Sequence, residues 1–191
     1  MKMKLIFSLL FIFLVEMIFG NNFSDLENFK SLVTQKTFLN NKVKEKKYEM
    51  VVKFPDLIYK KTLFPEINKG EIYVYNKNKK YIYYPLLEQN ISQEIDESEN
   101  EFLEILKELK GNNKGEKKNK IISNEKGLIK EIVFDTGEII KFENYIKIKD
   151  IYFPESIDIY DENEVIVSKM KFDKITLNQK ISNEIFEIGK K

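Results

Sequence analysis

Between Val43 and Glu88 the chain reads VKEKKYEMVVKFPDLIYKKTLFPEINKGEIYVYNKNKKYIYYPLLE, short apolar and aromatic runs interleaved with Lys and broken by Pro and Asn-Lys turns. In Tyr48–Phe54, the residues Tyr48, Met50, Val52 and Phe54 fall on one side and Glu49 and Lys53 on the other. A period of two marks a strand with one buried and one wet face. Lys60 and Lys61 lie between Tyr59 and Leu63 in a second run, and Ile72–Tyr75 and Tyr81–Tyr84 are two more, joined by Asn76-Lys77-Asn78-Lys79. Strands this close leave no room for helices between them, so the stretch predicts an antiparallel meander. The flanking segments are then read by what they do for that sheet.

Before it, Ser24-Asp25-Leu26-Glu27 has the form of a capping box, and Leu26, Phe29, Leu32 and Val33 follow at helical spacing. This predicts a leading helix of about three turns that covers one end of the sheet. Thr37–Leu39 is expected to start the first strand, with Asn40-Asn41 turning into the meander. After it, Asn90–Asp96 reads as a loop or short helix. Ser98–Glu101 is a second capping box, Phe102, Ile105, Leu106 and Leu109 share one face, and Gly111 is a ready stop, which predicts a second helix. Asn112–Asn119 is a charged loop.

The second half returns to strands. Lys120–Ser123 is short. Leu128, Ile132 and Phe134 share a side, and Asp135-Thr136-Gly137 turns into Glu138–Phe142 as a hairpin. Tyr145–Phe153 alternates, and Pro154 suggests an edge or a strand start. Ser156–Tyr160 and Val165–Phe172 are further strands around Asp161-Glu162-Asn163, and Ile175, Leu177 and Ile185–Ile188 finish the chain. The expected fold is α+β: a curved, antiparallel, half-open β-barrel of about ten strands, with helices covering the concave side. The space between sheet and helices is either packed core or a pocket for an apolar ligand.

Met1–Gly20, MKMKLIFSLLFIFLVEMIFG, has a Lys-bearing start, an apolar run and a small residue at its end. It reads as a signal peptide, with 21–191 as a single domain of a size that builds a good core; an uncleaved inner-membrane anchor is the lesser alternative. Loss of Lys2, Lys4 and Glu16 takes the formal charge from +1 to 0, which implies neither an acidic nor a basic partner. The sequence has no Cys, His or Arg. Thiolate and imidazole chemistry, zinc–thiolate sites and bidentate phosphate recognition are therefore missing. Acidic residues sit in runs such as Asp161–Glu164 with no spacing that selects a catalytic pair. No phosphate loop, metal spacing or nucleophile elbow appears. The reading is of a non-enzyme without cofactor or metal, and of no nucleic-acid binding.

Three passages carry a resemblance. Val51-Val52-Lys53-Phe54-Pro55-Asp56-Leu57-Ile58-Tyr59 resembles the strand, Lys-x-Pro, strand passage of the periplasmic outer-membrane lipoprotein carrier family, LolA and its relatives. Gly70–Asn76 followed by Lys80-Tyr81 resembles its aromatic hairpin, and Ile129–Phe134 the strand after its helical lid. The order of signal peptide, lead helix, meander, helical insertion and second meander is similar over nearly the whole mature chain. The resemblance implies a monomeric periplasmic carrier and chaperone that shelters acyl chains between curved sheet and helical lid. Its partners would be an acylated lipoprotein or lipid and the inner- and outer-membrane transport components. The lipid-facing candidates are Tyr48, Met50, Val52, Phe54, Ile132 and Phe134 on the sheet, and Phe102, Leu106 and Leu109 on the helix; ordinary core remains open for each. In the family an Arg on the sheet holds the lid shut, and here Lys53, Lys60 or Lys61 would have to stand in for it. The alternative is an envelope interaction, sensor or scaffold module with a filled core, pairing a partner along an exposed edge such as Ile157–Tyr160.

Overall fold

The computed structural model describes residues 22–95, 101–110 and 119–188. The expected signal peptide, the expected cap at Ser98 and stop at Gly111, and all of the expected charged loop but Asn119 lie outside them. Eleven strands form one antiparallel, unclosed sheet: β1 (Asn28–Leu39), β2 (Lys42–Lys53), β3 (Leu57–Phe64), β4 (Ile72–Asn76), β5 (Lys79–Tyr84), β6 (Gln89–Glu94), β7 (Lys120–Ser123), β8 (Ile129–Val133), β9 (Ile139–Ile148), β10 (Ile151–Tyr160) and β11 (Ile166–Leu177). The spatial order is β6-β5-β4-β3-β2-β1-β11-β10-β9-β8-β7. Two meanders are thus joined back to back where β1 pairs with β11. The first runs from the centre to one edge, and the second from the other edge back to the centre.

The α-helix among the described residues, α1 (Glu101–Leu109), lies in the connection between the two edges. Laid flat, ten strand spacings would separate those edges by about 48 Å. The short route between them passes over a sheet face. Phe102, Ile105, Leu106 and Leu109 are all buried in the main core with residues of β1, β2, β3, β8, β9, β10 and β11, so the helix lies across that face.

Where a lead helix and a second helix were expected, the second forms among the described residues and the first becomes β1. A 3-10 turn, Asn22–Asp25, precedes it. Phe29 and Val33 satisfy both the helical spacing and an alternation in which Phe29, Ser31 and Val33 are buried and Lys30 is exposed. The strand prevails because it has ladders on both sides, to β2 from Asn28 to Leu39 and to β11 from Phe29 to Thr37; tertiary pairing overrides a local cap signal. The capping box does not close: Ser24 Oγ donates to Asp25, and the Glu27 N–H goes to Asn178 Oδ1 at 2.8 Å. Thr37–Leu39 ends this strand instead of starting it. Asn40 and Asn41, with φ of 48° and 59°, make the two-residue hairpin turn that Asn tolerates in the left-handed region.

Other boundaries move for similar reasons. Gln89–Glu94 is an edge strand with every residue exposed, so burial left no periodicity to read. Tyr145–Phe153 is not one strand: Lys149 (φ 56°) and Asp150 turn β9 into β10. Pro154 lies inside β10, opposite Tyr145, at neither an edge nor a start. Its missing N–H is tolerated because the ladder to β11 begins only at Ser156. Ile157–Tyr160 is interior and offers no free edge. Ile185 falls in a 3-10 turn, Asn183–Phe186, not a strand.

The main core is dominated by rings. Phe153 packs on Phe29 (4.9 Å between centroids), Phe172 (5.7 Å) and Phe23 (5.8 Å), joining the N-terminal turn to the β1–β11–β10 centre. A smaller cluster occupies the opposite face, where Val51, Val74 and Phe186 are buried beneath the C-terminal turn. Phe153→Ala is expected to cost about 3–5 kcal/mol, since the removed ring cannot be replaced by collapse of three neighbouring rings. Urea unfolding checks it.

Candidate functional site

The strand register assigns each side chain of the first meander to a face. Met50 lies opposite Lys60, Lys60 opposite Tyr73, and Tyr73 opposite Ile82. In the neighbouring row Val52, Ile58, Tyr75 and Lys80 are aligned. These rows look toward α1, whereas Val51, Tyr59, Val74 and Tyr81 line up on the opposite face. At Ile72–Tyr75, where both faces are apolar, Tyr73 and Tyr75 therefore face the helix.

All nine candidate lipid contacts meet in one cluster. Tyr48, Met50, Val52, Phe102, Leu106, Leu109 and Ile132 are buried in it, and Phe54 and Phe134 are half-buried against it. Phe102 stacks on Phe172 with centroids 6.2 Å apart, which fixes one end of the helix over β11. At the other end Lys110 donates to the Leu26 carbonyl at 2.5 Å and sits 4.4 Å from the Phe54 ring centroid. Burial pushes its ammonium pKa down, and Asp25 and Glu27 oppose that shift. The buried side chains of α1 and those of this face belong to one core cluster. Two open clefts lie elsewhere, one of about 860 Å³ by the β7–β8 turn and one of about 420 Å³ around Asp158 and Lys169, and none of the nine residues lines either.

Lys60 is the feature the sequence did not single out in this role. Its Nζ lies 5.3 Å from the Tyr75 ring centroid, 5.6 Å from Phe102 and 5.7 Å from Tyr48. Three rings, one of them from the helix, thus surround a cation by their π-faces. Burial pushes the ammonium down to about 8, helped by repulsion from Lys80 and Lys46. Lys80 shares the Tyr75 ring at 5.7 Å and lies 5.9 Å from Tyr73. Tyr48 donates to Gln35 Oε1 at 3.0 Å, and burial raises its phenol pKa. One signal was available: Lys60 is in phase with Ile58 and Thr62, both buried, so alternation places it inward. Of Lys53, Lys60 and Lys61, Lys60 meets a described helix side chain, Phe102. Lys53 instead bonds Asn183 at the C-terminal turn, and Lys61, one residue out of phase, is exposed. Among the described residues no His, Cys or carboxylate cluster is arranged to hold a metal, and no helix is long and apolar enough to cross a membrane.

No family model matches the sequence, and no curated protein matches it. Solved structures do match the fold. A DUF1329 family protein from Desulfovibrio piger superposes with a TM-score of 0.61 at 11% identity, covering 87% of this chain and 92% of that one. A putative outer membrane lipoprotein-sorting protein domain from Vibrio parahaemolyticus gives 0.59 at 7% identity, covering 84% and 89%. A LolA superfamily protein from Nitrosomonas europaea gives 0.59 at 12% identity, covering 87% and 95%. The fold is LolA-like, as the sequence resemblance implied.

Lys60→Met is expected to stabilise the protein by about 1–2 kcal/mol near neutral pH, because it removes a desolvated cation while keeping its packing, less the ring attraction. The sign of the pH dependence follows from the lowered pKa. Below about 8 both the folded and unfolded states hold the proton, and the penalty is complete. Between that value and the ordinary 10.5 the folded state releases the proton first, so stability rises with pH. Paired urea melts at about pH 7 and about pH 9.5 should show the gap between variant and wild type closing.

Proposed function

We propose that the protein is an exported lipid or lipoprotein carrier, in which α1 is a displaceable cover over an apolar sheet face. The observation that supports this most is the meeting of Phe102, Leu106 and Leu109 of the amphipathic helix with the six candidate sheet side chains in one cluster, on a chain whose fold matches a lipoprotein-sorting domain and a LolA superfamily protein. The magnitudes are suited to exchange. Four buried apolar helix side chains contribute about 6–12 kcal/mol at about 1.5–3 each. An acyl chain of about fourteen buried methylenes contributes about 11 kcal/mol. Cover and cargo are closely matched, so one replaces the other without a deep trap, which suits a protein that must also let go. Met50 and the aromatic side chains repack readily around chains of different length. No bond is made or broken in this cycle.

In this reading residues 1–20 direct export to the periplasm, 21–191 form the carrier, and its partners are an acylated lipoprotein or lipid with membrane-bound donor and acceptor components. The close packing of α1 on the sheet favours a second reading, an envelope interaction or scaffold module whose core is permanently filled.

Titration of the purified protein with a fluorescent fatty acid separates the two. The carrier should take up about one ligand saturably, and Met50→Glu, with its far-ultraviolet circular dichroism unchanged, should weaken uptake about tenfold or more. Hydrogen exchange supplies a second measure. The α1 amides should exchange well before those of β1 and β2, and ligand should change α1 protection most. A folded protein with no uptake and with α1 protected like the central strands would be a scaffold.

A further inference from the structure

We infer that Lys60 and Lys80, with Tyr48, Tyr73 and Tyr75 around them, form a head-group site on the helix-covered face, and that the cargo is an acyl chain ending in an oxyanion, a carboxylate or a phosphate. The inference rests on the carrier reading and narrows it from any apolar chain to an acidic amphiphile.

Three strands place lysines on this face: Lys46 on β2, Lys60 on β3 and Lys80 on β5, with the two β4 tyrosines between Lys60 and Lys80. Lys60 and Lys80 share the Tyr75 ring. Among the described residues the ion pairs formed by lysine involve Lys36, Lys47, Lys69, Lys169 and Lys171, and none involves these three. The acid at the start of β4, Glu71, is already occupied: its carboxylate accepts from Tyr73 Oη at 2.7 Å and Asn68 Nδ2 at 2.8 Å. Converging cations with no counter-ion among the described residues destabilise the unliganded face, since burial and mutual repulsion both act against Lys60. An oxyanion between Lys60 and Lys80 reverses both effects and forms charge-assisted hydrogen bonds in a setting where they are strong. Ligand binding therefore recovers what the empty site gives up, and differential affinity of this kind is what shifts a two-state cover.

The apolar part has a direct path. Met50 is the cross-strand neighbour of Lys60, and Val52 and Ile58 lie in the adjoining row. A head at the lysines thus leaves its chain over Met50, Val52 and Ile58, in the space now filled by α1. Phe102 contacts both parts, as a wall of the Lys60 cage and as a member of the apolar cluster. Its departure with the helix opens the head site and the tail site together.

The test compares palmitate, a lysophosphatidate of the same chain length, methyl palmitate and inorganic phosphate on the purified protein by calorimetry. Both acids should bind at least about tenfold more tightly than the ester, and phosphate alone should not bind measurably. Lys60→Met, and separately the less enclosed Lys80→Gln, should bring the acids to within about twofold of the ester, the ratio being taken within each variant. Equal affinity for acid and ester in the wild type would overturn the head-group site and leave the carrier reading standing. Phosphate binding as tight as lysophosphatidate would overturn the acyl part of the inference. Failure of all four to bind would remove the carrier reading and this inference with it.

Discussion

The fold depends on where the chain joins its two meanders. The first and last strands, β1 and β11, pair at the centre, so every other strand is added outward from that seam and β6 and β7, consecutive among the strands, stand at opposite ends of the sheet order. A chain with this order cannot step from one edge to the next strand; it must cross. The crossing segment contains the amphipathic helix, and the face beneath it is the one on which Phe29, Met50, Phe153, Phe172 and Ile132 point inward. Cover and core are thus consequences of one pairing choice. Asn178, at the end of β11, locks the seam by accepting from the Glu27 N–H and donating to the Asp25 carbonyl. The 12-residue ladder of β1 against β2 then leaves no freedom for a helix at the start of the chain.

The sequence made the meanders legible because alternation is a local property. Tyr48, Met50 and Val52 announce their face without reference to any partner, and so do Ile132, Met170 and Phe172. Helix α1 was equally plain, since Phe102, Ile105, Leu106 and Leu109 admit no reading as a strand. Failures came where local patterns are degenerate. Phe29 and Val33 fit both periods, and only the two ladders on either side decide between them. Gln89–Glu94 is wholly exposed, so it is a strand by virtue of backbone pairing to β5 and of nothing its side chains encode. Pro154 misled because a rule about central strands assumes ladders on both sides, and at that position one is missing.

The candidate site shows the same division. Its apolar half was legible from periodicity and resemblance together, and the nine side chains do meet. Its polar half was not, because what makes Lys60 unusual is the company of Tyr48, Tyr75 and Phe102, which come from another strand, a third strand and the helix. In sequence Lys60 is one of three lysines that could replace an Arg, and alternation places it inward without saying what it meets there. The register sets it opposite Met50 and Tyr73. The resemblance drew attention to a missing Arg, and the fold supplies a cation beneath the helix by different chemistry: an ammonium held by ring faces, where a guanidinium would use a planar hydrogen-bonding fork.

That difference has a consequence for how the cover is held. A fork of directed hydrogen bonds ties a helix at one geometry, whereas attraction between a cation and a ring falls off gradually with displacement and tolerates sliding. Phe102 takes part in the Lys60 cage and in the stack on Phe172, so the N-terminal end of α1 is fastened by two soft, non-directional contacts. The other end is fastened by Lys110, whose ammonium meets a backbone carbonyl as well as the Phe54 ring. Among the described side chains, directional bonds are found toward the Lys110 end, from Lys110 to the Leu26 carbonyl and from Asn119 to Glu108. For the displaceable cover proposed above, this asymmetry would make the Lys110 end the fixed one and the Phe102 end the one that yields first. Motion of that kind uncovers Lys60, Tyr75 and Met50 before it disturbs the contacts of Leu109, so the polar end of the face is reached by solvent and solute ahead of the apolar end.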